Sequence, residues 1–276
     1  MSSHTLYTPE VRAVVLAHYE RAAAFIAANF PLAPVEAIEY YPGPGGRAEY
    51  TASLHRPVPD SIPTVEIGEF GHTRRYIAVA QNSLLWLVHH NAIGFASWTP
   101  SPRDPESVGF GRIILSARYG AIADDLESAM LIVQSVLLDR RIACIPVLGG
   151  DATAALFIPF CDAPTYDTVR AWLHDVAETA AAHQPALLTT AIDPPKQRLV
   201  HICVATNAVG RISALPYTLA GNAALEMITP IDWAELGTVR NGAVTAHNSA
   251  ERLAKGDVFG QQATALGMQP FAELRR

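Results

Sequence analysis

Long hydrophobic runs, excess positive charge and cysteine are all scarce in this sequence. The longest apolar stretches, LLWLV and LIVQSVLL, fall well short of the about 20 residues a helix needs to cross a bilayer, so no helical membrane span is expected. The formal net charge is −6 and the isoelectric point about 5.9. That balance gives no general pull towards a polyanion, and any nucleic-acid site has to be a local basic patch. Cys144, Cys161 and Cys203 are odd in number, far apart and set in apolar runs. This excludes a disulfide framework and a CxxC zinc pattern, and reads as buried, reduced thiols. The opening MSSHTLYTPEVRAVV lacks a basic segment, apolar core and small-residue cleavage site, so a cytoplasmic protein without a signal peptide is expected.

What is present is apolar: half of the 276 residues are hydrophobic and 17% are charged, the composition of a packed globular chain. Thr8-Pro9-Glu10 supplies a cap, a first-turn proline and a first-turn acid ahead of a stripe formed by Val11, Val14, Val15, Ala22, Phe25 and Ile26, which predicts a helix. EAIEYYP and AEYTASLH flank the turn GPGGR and read as a hairpin, and TVEIGEF and RRYIAVA read as a second. GPGG is not a nucleotide loop, because it lies between strands and has no P-loop lysine.

QNSLLWLVHH predicts a short helix, and NAIGFASW then leads into the polar, proline-rich TPSPRDPESVGFG. FGRIILSARYG reads as a strand, followed by a helix with Leu126, Met130, Val133 and Leu137 at helical spacing. RIACIPVL and ATAALFIPF read as buried strands, Pro164-Thr165 opens another helix, and LVHICVA and RISALPYT read as strands around a turn at Asn207 to Gly210. With no repeat or low-complexity linker, a single domain over 1–276 of mixed α/β class is expected, with an N-terminal α/β part over 1–100 and the rest over 101–276.

Taken in order, these pieces resemble the polymerase domain of bacterial DNA ligase D, in the archaeo-eukaryotic primase superfamily. TPIDWAEL (Thr229 to Leu236) and NAVGRISALPYTLA (Asn207 to Ala220) carry the resemblance best. LLWLVHHNAI, RDPESVGFGRIIL and AERLAKGD support it. The resemblance implies a primase-like fold in which a palm sheet like that of RNA-recognition domains packs with a second α/β layer. It also implies two aspartates one residue apart and a third on a neighbouring strand, holding two Mg or Mn ions for nucleotidyl transfer.

The positions that carry that chemistry in the family are neutral here. Aligned from Asp104-Pro105-Glu106, the paired aspartates fall on Ile114 and Ser116, and the third on Cys203. The serine, lysine and histidine that serve the triphosphate fall on Gly149, Ala152 and Ala155. Two arginines fall on Val209 and Ala220, the histidine before Pro-Trp falls on Ala96, and YTASLHR has no lysine for a DNA 5′-phosphate. The framework residues Asn207, Gly210, Pro216, Tyr217, Thr229, Pro230 and Trp233 remain. The resemblance therefore implies a pseudoenzyme with no catalytic residues and no cofactor, acting by weak binding of DNA or a nucleotide, or of a partner protein in non-homologous end joining.

Other chemistry is thinly represented. Alternation along LVHICVA puts His201 and Cys203 on one strand face, so a thiolate and an imidazole, with Ser116 and Asp151 near, define a second reading: an enzyme of another class reusing the cleft. A third reading is a purely structural, partner-binding protein. His89 and His90 point about 100° apart on a helix and read as carbonyl caps. Asp124, Asp125 and Glu127 read as helix N-terminal acids, and Arg74, Arg75, Arg112 and Arg118 as solvated arginines against a small basic patch.

Overall fold

The computed structural model describes residues 7–51, 57–69, 71–102, 104–150, 152–193, 196–267 and 269–271. In chain order the strands are β1 (Pro34–Tyr41), β2 (Arg47–Thr51), β3 (Thr64–Glu69), β4 (His72–Ala78), β5 (Gly94–Ser97), β6 (Pro100–Ser101), β7 (Asp104–Val108), β8 (Phe110–Arg118), β9 (Ile145–Leu148), β10 (Thr153–Pro159), β11 (Leu188–Thr189), β12 (Leu199–Cys203), β13 (Ser213–Ala214) and β14 (Thr229–Pro230). The helices are α1 (Pro9–Asn29), α2 (Gln81–His89), α3 (Ala123–Asp139), α4 (Tyr166–His183), α5 (Ser249–Ala254) and α6 (Val258–Leu266).

The chain forms two compact units. One spans Met1–Trp98, Ile212–Ile228 and Val244–Gly260, and the other Thr99–Arg211, Thr229–Ala243 and Gln261–Arg276. The first unit's longest stretch ends at Trp98, and the C-terminal third of the chain alternates between the two units.

In the first unit, α1 starts where its capping residues put it. The Val11 N–H donates to Thr8 Oγ1, and Pro9 occupies the first turn, where a missing N–H leaves no bond unmade. The helix buries Val15, His18, Tyr19, Ala22, Ala23 and Ile26 along one face. The sheet runs β13-β5-β1-β4-β3, with β2 added to the far end of β1. Both expected hairpins are present as the antiparallel pairs β1–β2 and β3–β4.

RISALPYT is the main departure. Only Ser213 and Ala214 are strand, and they pair with Ser97 and Ala96 of β5, not with β12. Pro216 has no N–H to give a ladder, and Tyr217 sits at φ +68°, so the backbone leaves the sheet there. Its hydroxyl donates to Asp257 Oδ1 (2.8 Å) and accepts from the Phe259 N–H (2.9 Å), and its carbonyl accepts from His18 Nε2 (2.9 Å). These bonds, made to α1 and the stretch opening α6, explain why the segment belongs to the first unit.

The second unit is built on β8-α3-β9-β10-α4-β12, whose strands stand in the order β12-β8-β10-β9. This is the split βαβ arrangement of ferredoxin-like and RNA-recognition folds. β11 extends one edge in parallel and β14 the other antiparallel, where the missing N–H of Pro230 is tolerated. Ile113, Leu115, Ala154, Leu156, Ile158, Val200 and Ile202 are buried on one face, and α3 and α4 pack on this sheet through Leu126, Met130, Val133, Leu137, Val169, Leu173 and Val176. Each such large side chain contributes about 1.5–3 kcal/mol of burial. Within the polar, proline-rich TPSPRDPESVGFG, Pro100–Ser101 and Asp104–Val108 pair as the ribbon β6–β7. The Asp104 carboxylate accepts from the Ser107 hydroxyl (2.5 Å) and the Glu106 N–H (3.0 Å), local bonds that fold a polar segment back on itself.

Candidate functional site

The sheet face opposite α3 and α4 carries the residues singled out from the sequence. Strand alternation along β8 sends Ile113 and Leu115 towards the helices and Arg112, Ile114, Ser116 and Arg118 to the other side. The pairing then assembles two cross-strand rows. One is polar: Thr189 of β11, His201 of β12, Ser116 of β8 and Thr153 of β10 are successive register partners. The other is apolar: Cys203, Ile114, Ala155, Val147 and Pro230 follow one another across β12, β8, β10, β9 and β14.

Ile114 and Cys203 are therefore direct partners, and Ser116 lies two residues further along β8. The three positions to which the ligase D resemblance assigns aspartates come together on one face, all half-exposed. Among the described residues, no three His, Cys, Asp or Glu side chains are grouped so as to hold a metal ion. Asp151 lies outside the described residues. The His201 imidazole is held below its ordinary pKa by partial burial and then by the Arg118 guanidinium, against a hydrogen bond to the Thr190 backbone that works the other way.

Gly149 and Asn207 have structural tasks. The Gly149 N–H donates to the Thr153 carbonyl (2.8 Å), and the Thr153 hydroxyl donates to the Gly150 carbonyl (2.8 Å). A Cβ on Gly149 would run into that hydroxyl, so this tight β9–β10 connection has no room for the family's serine. Asn207 stands where β12 has ended. Its Oδ1 accepts from the Arg112 N–H (2.8 Å), and its Nδ2 donates to the carbonyls of Arg112 and Val204 (2.7 Å each). The carboxamide thus continues the β8 ladder beyond the last residue of its neighbour strand.

Arg112 was missed as a site residue. It is fully buried, and its guanidinium donates to the carbonyls of Thr206 (2.8 Å) and Arg211 (3.2 Å), pinning the segment that follows β12. Burial lowers its pKa to about 10, so it stays charged at neutral pH. It contributes nothing to the surface patch suggested for Arg74, Arg75, Arg112 and Arg118. Arg74 lies over the Tyr76 ring, 4.9 Å from its centroid, and Arg75 donates to the Thr64 hydroxyl (3.0 Å). The signal for Arg112 was available in the alternation, which puts it on the face of Ile114 and Ser116.

The remaining candidates have structural roles. The Asp125 carboxylate accepts from the Ile122 N–H at the start of α3 (2.8 Å) and pairs with Arg198 (2.6 Å), which together hold it below the usual carboxylate range. His90 donates from Nδ1 to the Trp86 carbonyl (2.7 Å), as a helix-end cap. The Trp233 indole donates to the Cys144 carbonyl (3.0 Å), fixing the TPIDWAEL segment beside β9. Ala96 lies within β5, and Ala220 donates its N–H to the Glu226 carbonyl (2.7 Å).

A βαββαβ sheet extended at both edges, with its open face set opposite two helices, defines a palm of the primase-polymerase type. The model of the LigD primase-polymerase domain family matches residues 12–259, and the chain belongs to that family. A polymerase domain from Mycobacterium tuberculosis ligase D, solved in complex with DNA, aligns with a TM-score of 0.80 over 92% of this chain and 92% of that one, at 18% identity. At that identity the likeness is one of fold, and it agrees with the mixed α/β, primase-like architecture expected from the sequence. No curated protein matches the chain. No helix among the described residues is long and apolar enough to cross a membrane.

Proposed function

We propose that this LigD-type primase-polymerase domain lacks nucleotidyl transferase activity and acts by binding DNA or a nucleotide in DNA repair. The observation that carries the reading is the register of the palm face, where Ile114 and Cys203 oppose each other with Ser116 alongside. Two Mg or Mn ions at that place need hard, anionic oxygen ligands. An isoleucine offers no donor, a serine hydroxyl is neutral, and a thiol is a soft ligand ill matched to magnesium. The donor set does not fit the metals, and no step of nucleotidyl transfer is routed through it. Binding is supported by the fold itself, since the M. tuberculosis ligase D polymerase domain was solved with DNA.

The test is primer extension on a templated duplex by the purified protein, with magnesium and with manganese. No nucleotide addition is expected with either ion. Robust extension that disappears in Ser116→Ala or Cys203→Ala would overturn the proposal. Retained binding of DNA or nucleotide in a metal-free mobility or calorimetric assay is the positive half of the expectation, and a partner protein of the end-joining machinery is the occupant to seek if neither binds.

A further inference from the structure

The emptied face is not featureless. Its polar row ends in Thr189, His201 and Ser116, each half-exposed, and Arg118 projects from the next same-face position of β8, opposite Leu199. Arg118 is exposed, and its charge acts on His201. Thr189 Oγ1 already accepts the Ala191 N–H (3.2 Å), which leaves its own proton to donate. Thr153, the fourth member of the row, spends its proton on the Gly150 carbonyl. A guanidinium, an imidazole and two hydroxyls thus lie on neighbouring positions of one sheet face, around Ser116, where the ligase D resemblance puts a carboxylate. Replacing carboxylate by hydroxyl at Ser116 removes the negative charge that would repel an oxyanion in the absence of a cation.

We propose that Thr189, His201, Ser116 and Arg118 bind the phosphate of an organic phosphate monoester directly, without a metal ion, while the part-exposed members of the apolar row, Cys203, Ile114 and Ala155, take its organic part. The inference rests on the neutral cleft proposed above and names its ligand chemistry. Hydrogen bonds from a guanidinium and a protonated imidazole to phosphate are charge-assisted, about twice as strong as neutral ones.

The charges around His201 favour an anion. β8 presents Arg118, β11 presents neutral Thr189 and the Thr190 backbone, and β12 itself presents Cys203. The Glu178 carboxylate of α4 is engaged by the Thr190 hydroxyl (2.6 Å), and Asp125 of α3 is paired with Arg198. A bound phosphate adds negative charge beside His201 and raises its pKa, so affinity rises as pH falls through the range where the imidazole protonates.

The experiment is an NMR titration of the His201 ring in EDTA, with adenosine monophosphate and with inorganic phosphate as probes. A 5′-phosphorylated oligonucleotide and its unphosphorylated twin form a second pair. The expected result is an upward shift of the His201 pKa with adenosine monophosphate, and several-fold tighter binding at pH 6 than at pH 8. Arg118→Ala, at an exposed position, weakens binding roughly tenfold. Ser116→Asp removes metal-free binding. Tighter binding of the phosphorylated oligonucleotide than of adenosine monophosphate assigns the site to strand ends, and the converse assigns it to free nucleotides; either supports the proposal. No response of His201 to millimolar adenosine monophosphate or to the 5′-phosphorylated oligonucleotide, or equal binding by Arg118→Ala, overturns it. Primer extension reads the earlier proposal separately: a silent His201 with no extension removes only the phosphate site, whereas extension removes the inactive-polymerase reading.

Discussion

His18 gives the protein a built-in acid sensitivity whose size follows from its surroundings. It lies on the buried face of α1, 2% exposed, with Nε2 bonded to the Tyr217 carbonyl and Nδ1 to the Ser249 hydroxyl, each at 2.9 Å. A carbonyl cannot donate, so Nε2 carries the proton and Nδ1 accepts from Ser249. Burial lowers the imidazole pKa from 6.5 to about 4, with the Tyr217 carbonyl opposing the shift and Arg21 adding slightly to it. The folded pKa is therefore below the unfolded one, the unfolded chain takes up the proton first, and stability falls as pH drops through 6.5 towards 4. Between pH 7.5 and pH 5.5 the expected loss is about 1.3 kcal/mol, rising to a limit of about 3.4 kcal/mol below pH 4. Denaturant unfolding of the wild type and His18→Gln at pH 7.5, 6.5 and 5.5 isolates this contribution, because most carboxylates titrate lower. The variant is less stable at pH 7.5, and the gap narrows by about 1.3 kcal/mol at pH 5.5. Parallel pH dependences for the two proteins would refute the burial argument.

Three further outcomes are expected. Asn207→Ala strips partners from the two buried backbone groups of Arg112 and lowers stability by about 2–4 kcal/mol, read by denaturant unfolding. Gly149→Ser costs about 1–3 kcal/mol through its clash with the Thr153 hydroxyl, and adding Thr153→Ala recovers part of the loss, a coupling that a double-mutant cycle measures. In the native protein, exposed Cys161 is alkylated before Cys144, whose thiol burial pushes up to about 12; mass mapping before and after unfolding shows Cys144 labelled only in the unfolded chain.

Elements with strong local signals were legible. The cap and first-turn residues of α1 marked its start, the apolar spacing of α3 marked its buried face, and FGRIILSAR was legible as a strand. What local pattern could not show is which strand a segment joins. RISALPYT alternates well enough to read as a partner of β12, yet its bonds run to His18, 199 residues away, and to β5. Arg112 reads as a surface charge because charge usually means solvent. Its burial depends on the carbonyls of Thr206 and Arg211, 94 and 99 residues on, which no window around it contains. His18 was hidden for the same reason within an otherwise apolar stripe. The candidate site rests on the ligase D resemblance alone, and the structure adds how its positions lie: Ser116 beside His201, and Cys203 beside Ile114.

The carboxamide of Asn207 completes a β-ladder with a side chain instead of a peptide group. A strand neighbour is held by its whole length, but a side chain is released by one rotation about χ1. The Arg112 amide can therefore exchange when the 204–211 segment undocks while the sheet stays intact, and its protection reports that docking. Since that segment follows directly from Cys203, this single amide is a native gauge of events at the cleft, readable without any label.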